Sequence, residues 1–123
     1  MAVIRRFDGR DGAHRWHGVV VEPYAAGDAR AGTRQVLIGP EEGAANFALR
    51  YFELAPGTTS SLDVHAHDHG VYVLHGRGRV RLSDDEHAIG PGDVVYVAPH
   101  DRHAFEADGD VALGFLCVVP ARR

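Results

Sequence analysis

Seven of the nine histidines lie between positions 65 and 103, and three of them alternate strictly in Val64-His65-Ala66-His67-Asp68-His69-Gly70. Neutral imidazole is the commonest transition-metal ligand, although histidines on a solvated surface are ordinary too. Geometry constrains the metal reading. Alternate residues of a straight strand point the same way at intervals of ~6.6 Å, so His65 and His69 would stand ~13 Å apart. Metal–nitrogen bonds of ~2.1 Å cannot bridge that gap. Either the chain bends sharply near Asp68, or only two of the three histidines bind. A further ligand must then come from a distant stretch. His103, which follows Pro99 after an apolar run, is the best placed, and His100 is a lesser candidate.

The elements that would hold such a site are strands. Short β-prone runs recur at Val19-Val20-Val21, Val36-Leu37-Ile38, Phe47 to Leu54, Val71 to Leu74, Val80 to Leu82, Val94 to Ala98 and Phe115 to Val119. Glycine and proline punctuate them, as in Gly39-Pro40, Pro56-Gly57 and Gly90-Pro91-Gly92, which suits strands joined by turns. The one helical candidate, Glu41 to Ala45, is short and interrupted by Gly43. The chain reads as all-β, with residues 1–15 a polar, loosely attached arm and residues 16–123 one domain. Arg77, Arg79 and Arg81 alternate, as on a solvated sheet face. Val94-Val95-Tyr96-Val97 does not alternate, and neither does Phe115 to Val119, so both expect cover on two faces. A homodimer would supply it.

Composition narrows the classes. A length of 123 residues, 45% of them hydrophobic, fits a single domain with a real core. The net charge of −4 and the lack of a basic run argue against a nucleic-acid or membrane-surface partner. No apolar run approaches the ~18 residues of a transmembrane helix. The opening, MAVIRRFDGRDG, lacks the long apolar stretch of a secretory leader, so a cytoplasmic location is expected. All thirteen basic residues are arginine, which removes Schiff-base chemistry on lysine. Cys117, the single cysteine, excludes an internal disulfide and a cysteine-based zinc knuckle.

The residues flanking the histidines resemble the two motifs of the cupin superfamily. The first runs from Pro56-Gly57 through His65-Ala66-His67 and His69 to Val71-Tyr72-Val73-Leu74-His75-Gly76; the second runs from Gly92-Asp93-Val94 through Ala98-Pro99-His100 to His103. The closing Gly114 to Pro120 is similar to the last strand of small single-domain cupins. The resemblance implies a double-stranded β-helix, or jelly-roll, barrel with one divalent transition-metal ion (manganese, iron, nickel, copper or zinc). It implies His65, His67, His69 and His103 as ligands, with His69 where the family has glutamate. Asp68 or a water is the alternative to His69. The family's glycine and proline places in the second motif are held by His100 and Ala98.

Four neutral imidazoles would leave the full 2+ charge on the ion, suiting a Lewis acid or an oxygen-binding centre. The expected function is therefore a metal-dependent enzyme acting on a small molecule, either an oxidoreductase of dioxygenase type or an isomerase or lyase. The competing expectation is a non-catalytic module that captures a metabolite or sugar, with a structural metal or none. Phe105 shares a strand face with His103 and is the expected cavity wall. Arg50, in an otherwise apolar strand, could clamp a carboxylate if it points inward. Tyr72 is the third candidate for the substrate cavity. Cys117 reads as a buried, inert thiol, and His14, His75 and His87 as surface or turn residues.

Overall fold

The computed structural model describes residues 2–9, 12–26, 28–60 and 63–121. Its regular elements are β1 (Phe7–Asp8), β2 (Arg15–Trp16), β3 (Glu22–Ala26), β4 (Asp28–Ile38), β5 (Phe47–Leu54), β6 (His69–His75), β7 (Gly78–Leu82), β8 (Asp85–Ile89), β9 (Val94–Val97), β10 (His103–Ala107) and β11 (Leu113–Pro120), with a 3-10 turn at Pro40–Glu42. A six-stranded sheet has the order β3-β4-β5-β11-β6-β9, a three-stranded sheet the order β10-β7-β8, and β1-β2 form a small hairpin. Every pairing is antiparallel. The order is non-sequential, with β11 inserted between β5 and β6, as a jelly roll requires. The all-β, jelly-roll expectation holds. Among the described residues, no helix is long and apolar enough to cross a membrane.

Alternation along each strand sorts side chains between the inside and the outside of the barrel. Phe52 and Leu54 of β5, Val71 and Val73 of β6, Val95 and Val97 of β9 and Phe115 of β11 meet Val80, Ile89 and Phe105 of the smaller sheet in one buried cluster. Each fully buried Val or Leu here contributes roughly 1.5–3 kcal/mol over its exposed state. Gly76 closes the turn after β6 at φ +80°, and a Cβ there would sit 1.9 Å from the Ala112 carbonyl oxygen, so only glycine fits.

The structure departs from the sequence reading at residues 19–21, at β8 and at β9. Val19-Val20-Val21 is not a strand: Val19 N–H donates to the Trp16 carbonyl in a turn, Val20 is exposed, and β3 begins only at Glu22. β8, polar in sequence, is a strand because it pairs along its whole length with β7. Arg79 and Arg81 do lie on an exposed face, Arg81 beside Glu86. β9 proves to alternate, with Val95 and Val97 buried and Val94 and Tyr96 open to solvent in the single chain.

The arm packs on the sheet instead of hanging from it. The Trp16 ring lies 5.2 Å from that of Tyr51 and 5.3 Å from Phe7, and the Gln35 amide donates to the His14 carbonyl. Tyr51 points outward from β5, yet it is fully buried beneath this cover.

Candidate metal centre

Three backbone devices bring the histidines together. The first is a bend at Ala66–His67, between the Asp63–His103 bridge and the start of β6. It replaces the ~13 Å of a straight strand with a ring-centroid distance of 5.0 Å between His65 and His69. The second is a turn at Ala98-Pro99-His100-Asp101, closed by Asp101 N–H to the Ala98 carbonyl, with His100 at φ 68°. Proline followed by a residue at positive φ is the signature of a type II turn, so His100 serves the backbone where the family resemblance has glycine. The third is the His100 N–H, which donates to the His65 carbonyl at 2.6 Å and ties the two motifs together.

His65, His69 and His103 each offer a ring nitrogen, and these three atoms lie within 4.8 Å of one another. One ligand comes from each sheet, His69 from β6 and His103 from β10, and His65 comes from the loop that leads from β5 into β6. Ring orientation is set from behind. His103 Nδ1–H donates to the Asp101 carbonyl at 3.1 Å, which leaves the Nε2 lone pair for an ion. His69 Nδ1 contacts the Cys117 sulfur at 3.5 Å, while its buried Nε2 has no partner. An orphaned buried polar atom costs ~1–3 kcal/mol, and a bound cation would relieve it. The three residues therefore fit a divalent ion held by neutral imidazoles.

Electrostatics agrees with neutral ligands. Burial, and then the neighbouring His103, His67, His65 and Arg50, push the His69 pKa down to about 4. Burial likewise lowers His65, opposed by the Asp63 carboxylate and reinforced by His103, His67 and Arg50. An imidazole that is already unprotonated loses no proton on binding metal.

His67 sits beside this trio rather than within it. Its ring is 5.0 Å from His65 and 4.7 Å from His69, but it is exposed, with Nδ1 3.4 Å from the Asp68 carbonyl. The Asp68 carboxylate accepts a hydrogen bond from the Tyr96 hydroxyl at 2.9 Å.

A cavity of about 200 Å³ opens over the trio, walled by Phe52, Phe105 and Phe115, with Arg34, Arg50 and Cys117 among its lining residues. Arg50 does point inward, its guanidinium carbon 4.9 Å above the Phe52 ring and one Nη 3.6 Å from the Cys117 sulfur. Cys117 is buried, and burial raises its pKa against the pull of Arg50. Phe105 is one of the residues lining the cavity. Tyr72 is not: β6 alternates, so His69, Val71 and Val73 face in, and Tyr72 projects from the outer face with 45% of its surface exposed. Arg34 was missed by sequence reasoning. Its signal was the Arg34-Gln35-Val36 alternation lying in register with Arg50 and Phe52, visible only once β4 and β5 are paired.

Known proteins share this sequence pattern and fold. The family model described as a cupin domain matches residues 50–119. The 1-methylthio-D-xylulose 5-phosphate methylsulfurylase of Rhodospirillum rubrum is 41% identical over 113 residues, covering 89% of this chain and 71% of that one. The crystal structure of a cupin-2 domain protein from the same organism superposes with a TM-score of 0.81 at 42% identity, over 90% of this chain and 75% of that one. The polyketide cyclase RemF of Streptomyces resistomycificus superposes with a TM-score of 0.81 at 27% identity, over 98% and 82%. With both motifs, the jelly roll and the family match in agreement, the chain belongs to the cupin domain family.

Proposed function

We propose that the chain is a metal-dependent enzyme that performs polar chemistry beside a carbonyl group of a small substrate. The unpartnered, buried Nε2 of His69, facing the same point as His65 and His103, carries this reading. A bound divalent ion would supply Lewis acidity toward a carbonyl or enolate oxygen. His65, His69 and His103 would hold it, and His67, in ring contact with two of them, is the candidate fourth ligand. The phenylalanine walls exclude water from the reacting carbons, and Arg50 orients the substrate from the side.

Of the two chemistries expected for such an ion, oxygen insertion and isomerase or lyase chemistry, the relatives favour the second. The substrate named for the Rhodospirillum rubrum relative is a ketose phosphate, with a methylthio group on the carbon next to its carbonyl. Attack of a small thiol on the methylthio sulfur would form an S–S bond, break the C–S bond and leave its electron pair on the carbon as an enolate, which a Lewis acid stabilises and a proton then quenches. A thioether-bearing ketose phosphate, offered together with a small thiol as acceptor, is thus the first compound to offer this chain. Consumption of it by metal-loaded protein, abolished in His69→Ala, is the expected result. Metal-loaded protein that leaves the compound intact defeats the choice of substrate, and protein that takes up no metal defeats the enzyme reading altogether.

We also propose that the chain works as a homodimer in the cytoplasm. Val94 and Tyr96 on the edge strand β9, with Tyr72 and Val118 alongside, form an exposed apolar face of the large sheet. Burying that face against a second copy would remove it from water. A single unpaired cysteine suits a reducing compartment. Light scattering should give twice the chain mass for the wild type and a smaller species for Tyr96→Arg.

A further inference from the structure

The cavity carries two guanidinium groups that ligation of a metal does not use. Arg34 on β4 and Arg50 on β5 both line it together with His65, His69 and His103. The strand register pairs Arg34 with Phe52 and Val36 with Arg50, so the two arginines are diagonal neighbours on one inward face. Diagonal positions of an antiparallel pair lie ~7–8 Å apart, within joint reach for side chains of this length. Each arginine is held at one end. An Nη of Arg34 donates to the Glu22 carboxylate at 3.2 Å, and an Nη of Arg50 reaches the Cys117 sulfur at 3.6 Å. Both Nε–H groups are buried and have no acceptor.

A guanidinium with a purely structural task would aim its Nε–H at a carbonyl or carboxylate. Here two such donors open on one small cavity, although Glu22 already meets the charge of Arg34. Among the described lining residues Asp63 is the single carboxylate. An oxyanion entering the cavity would satisfy both orphaned donors at once.

We propose that Arg34 and Arg50 form an oxyanion subsite that grips the carboxylate or phosphate of the substrate and so turns its other end toward the histidines. The second half of this statement rests on the metal-centre reading, whereas the grip on the anion does not. A volume of about 200 Å³ is below the ~300–1,000 Å³ of most ligand pockets, so the anion belongs to a small molecule.

The test titrates inorganic phosphate and, separately, malonate into the full chain by calorimetry, both metal-loaded and stripped with chelator. The wild type should bind at least one of the two anions in both forms. Arg34→Gln and Arg50→Gln should each weaken that binding by about tenfold or more, with metal uptake unchanged, and Arg50→Lys should restore part of it. Tighter phosphate binding identifies a phosphate ester as the substrate class, and tighter malonate binding a carboxylate. Binding to neither anion, binding lost on stripping alone, or equal affinity in both glutamine variants overturns the subsite. Should a variant fail to fold, phenylglyoxal modification of the wild type, mapped by mass spectrometry, decides instead. Phosphate or malonate must protect Arg34 and Arg50, and modification unaffected by both anions overturns the proposal. A failure of the metal reading shows separately, as absent metal uptake, and leaves the stripped-protein titration informative.

Discussion

Histidines gather on both faces of the large sheet, with different results. On the inner face, His65, His69 and His103 converge nitrogen to nitrogen over a cavity, and one buried Nε2 is left without a partner. On the outer face, His14 and His75 meet ring to ring at 4.7 Å, and His14 stacks on Tyr51 at 5.8 Å. His14 belongs to the arm's hairpin and His75 to β6, and no third ligand joins them among the described residues. Burial, and then His75, lower the His14 pKa, with Glu53 opposing. Proximity and burial are therefore shared by both regions. Convergence of lone pairs on one open point is what separates a metal centre from a packing cluster.

The largest effect should come from breaking that convergence. His69→Ala or His103→Ala should abolish stoichiometric metal uptake, measured by elemental analysis after reconstitution, because two imidazoles from a loop and one sheet do not enclose an ion. His67→Ala should lower affinity by a smaller factor, since its ring lies outside the trio. His14→Ala should leave metal content alone. Full occupancy in His69→Ala, or loss of metal in His14→Ala, would erase the distinction between the two regions.

Next comes pH. In stripped protein the His69 pKa is about 4 when folded against 6.5 ordinarily, so the unfolded chain binds the extra proton between those values. Stability should therefore be full above pH 6.5, fall as pH drops from 6.5 to about 4, and level off below. The loss is up to ~3 kcal/mol, an upper bound set by the size of the shift. Urea denaturation at pH 7 and pH 5 measures it. His69→Gln should flatten the slope, and an unchanged slope would show that this imidazole is not held neutral by its surroundings.

The comparison also marks how far a sequence reaches. The alternation at His65, His67 and His69 showed that a bend or a missing ligand was required, and the bend at Ala66–His67 is what the fold supplies. Most apolar runs became strands, because local alternation and tertiary packing ask for the same thing there. β8 was invisible, since Asp85-Glu86-His87-Ala88-Ile89 is held by pairing with β7 and not by its own apolar content. Arg34 and the His14–His75 contact were missed for a related reason. Both depend on which strands and arms become neighbours, and no local pattern records that. The resemblance placed His69 correctly beside His65 and His103, but spacing alone could not say that His67 would face solvent.

A stability test reaches the outer region alone. Gly114 of β11 lies under Tyr51, and a Cβ there would sit 1.9 Å from the tyrosine hydroxyl oxygen. Tyr51 is fully buried and donates to Glu53 at 3.0 Å, so it has little room to yield. Gly114→Ala should cost ~1–3 kcal/mol, as overpacking typically does. Trp16, the chain's single tryptophan, rests on Tyr51, so its fluorescence should report the change while metal content stays constant. Unaltered denaturation would mean that the arm and Tyr51 move aside freely.

The smallest effect concerns the outer pair itself. The charge on His75 is the second cause of the lowered His14 pKa, after burial. His75→Ala removes that cause and keeps the cover of Phe7 and Tyr51. The His14 midpoint, followed by NMR of the ring protons, should move upward but remain below the ordinary 6.5 because burial persists. Metal uptake should not change, since β6 presents His75 to the arm and His69 to the cavity. An unmoved midpoint would mean that the two rings touch without electrostatic coupling. A loss of metal would mean that the outer cluster supports the inner one through β6, joining the two regions that the geometry keeps apart.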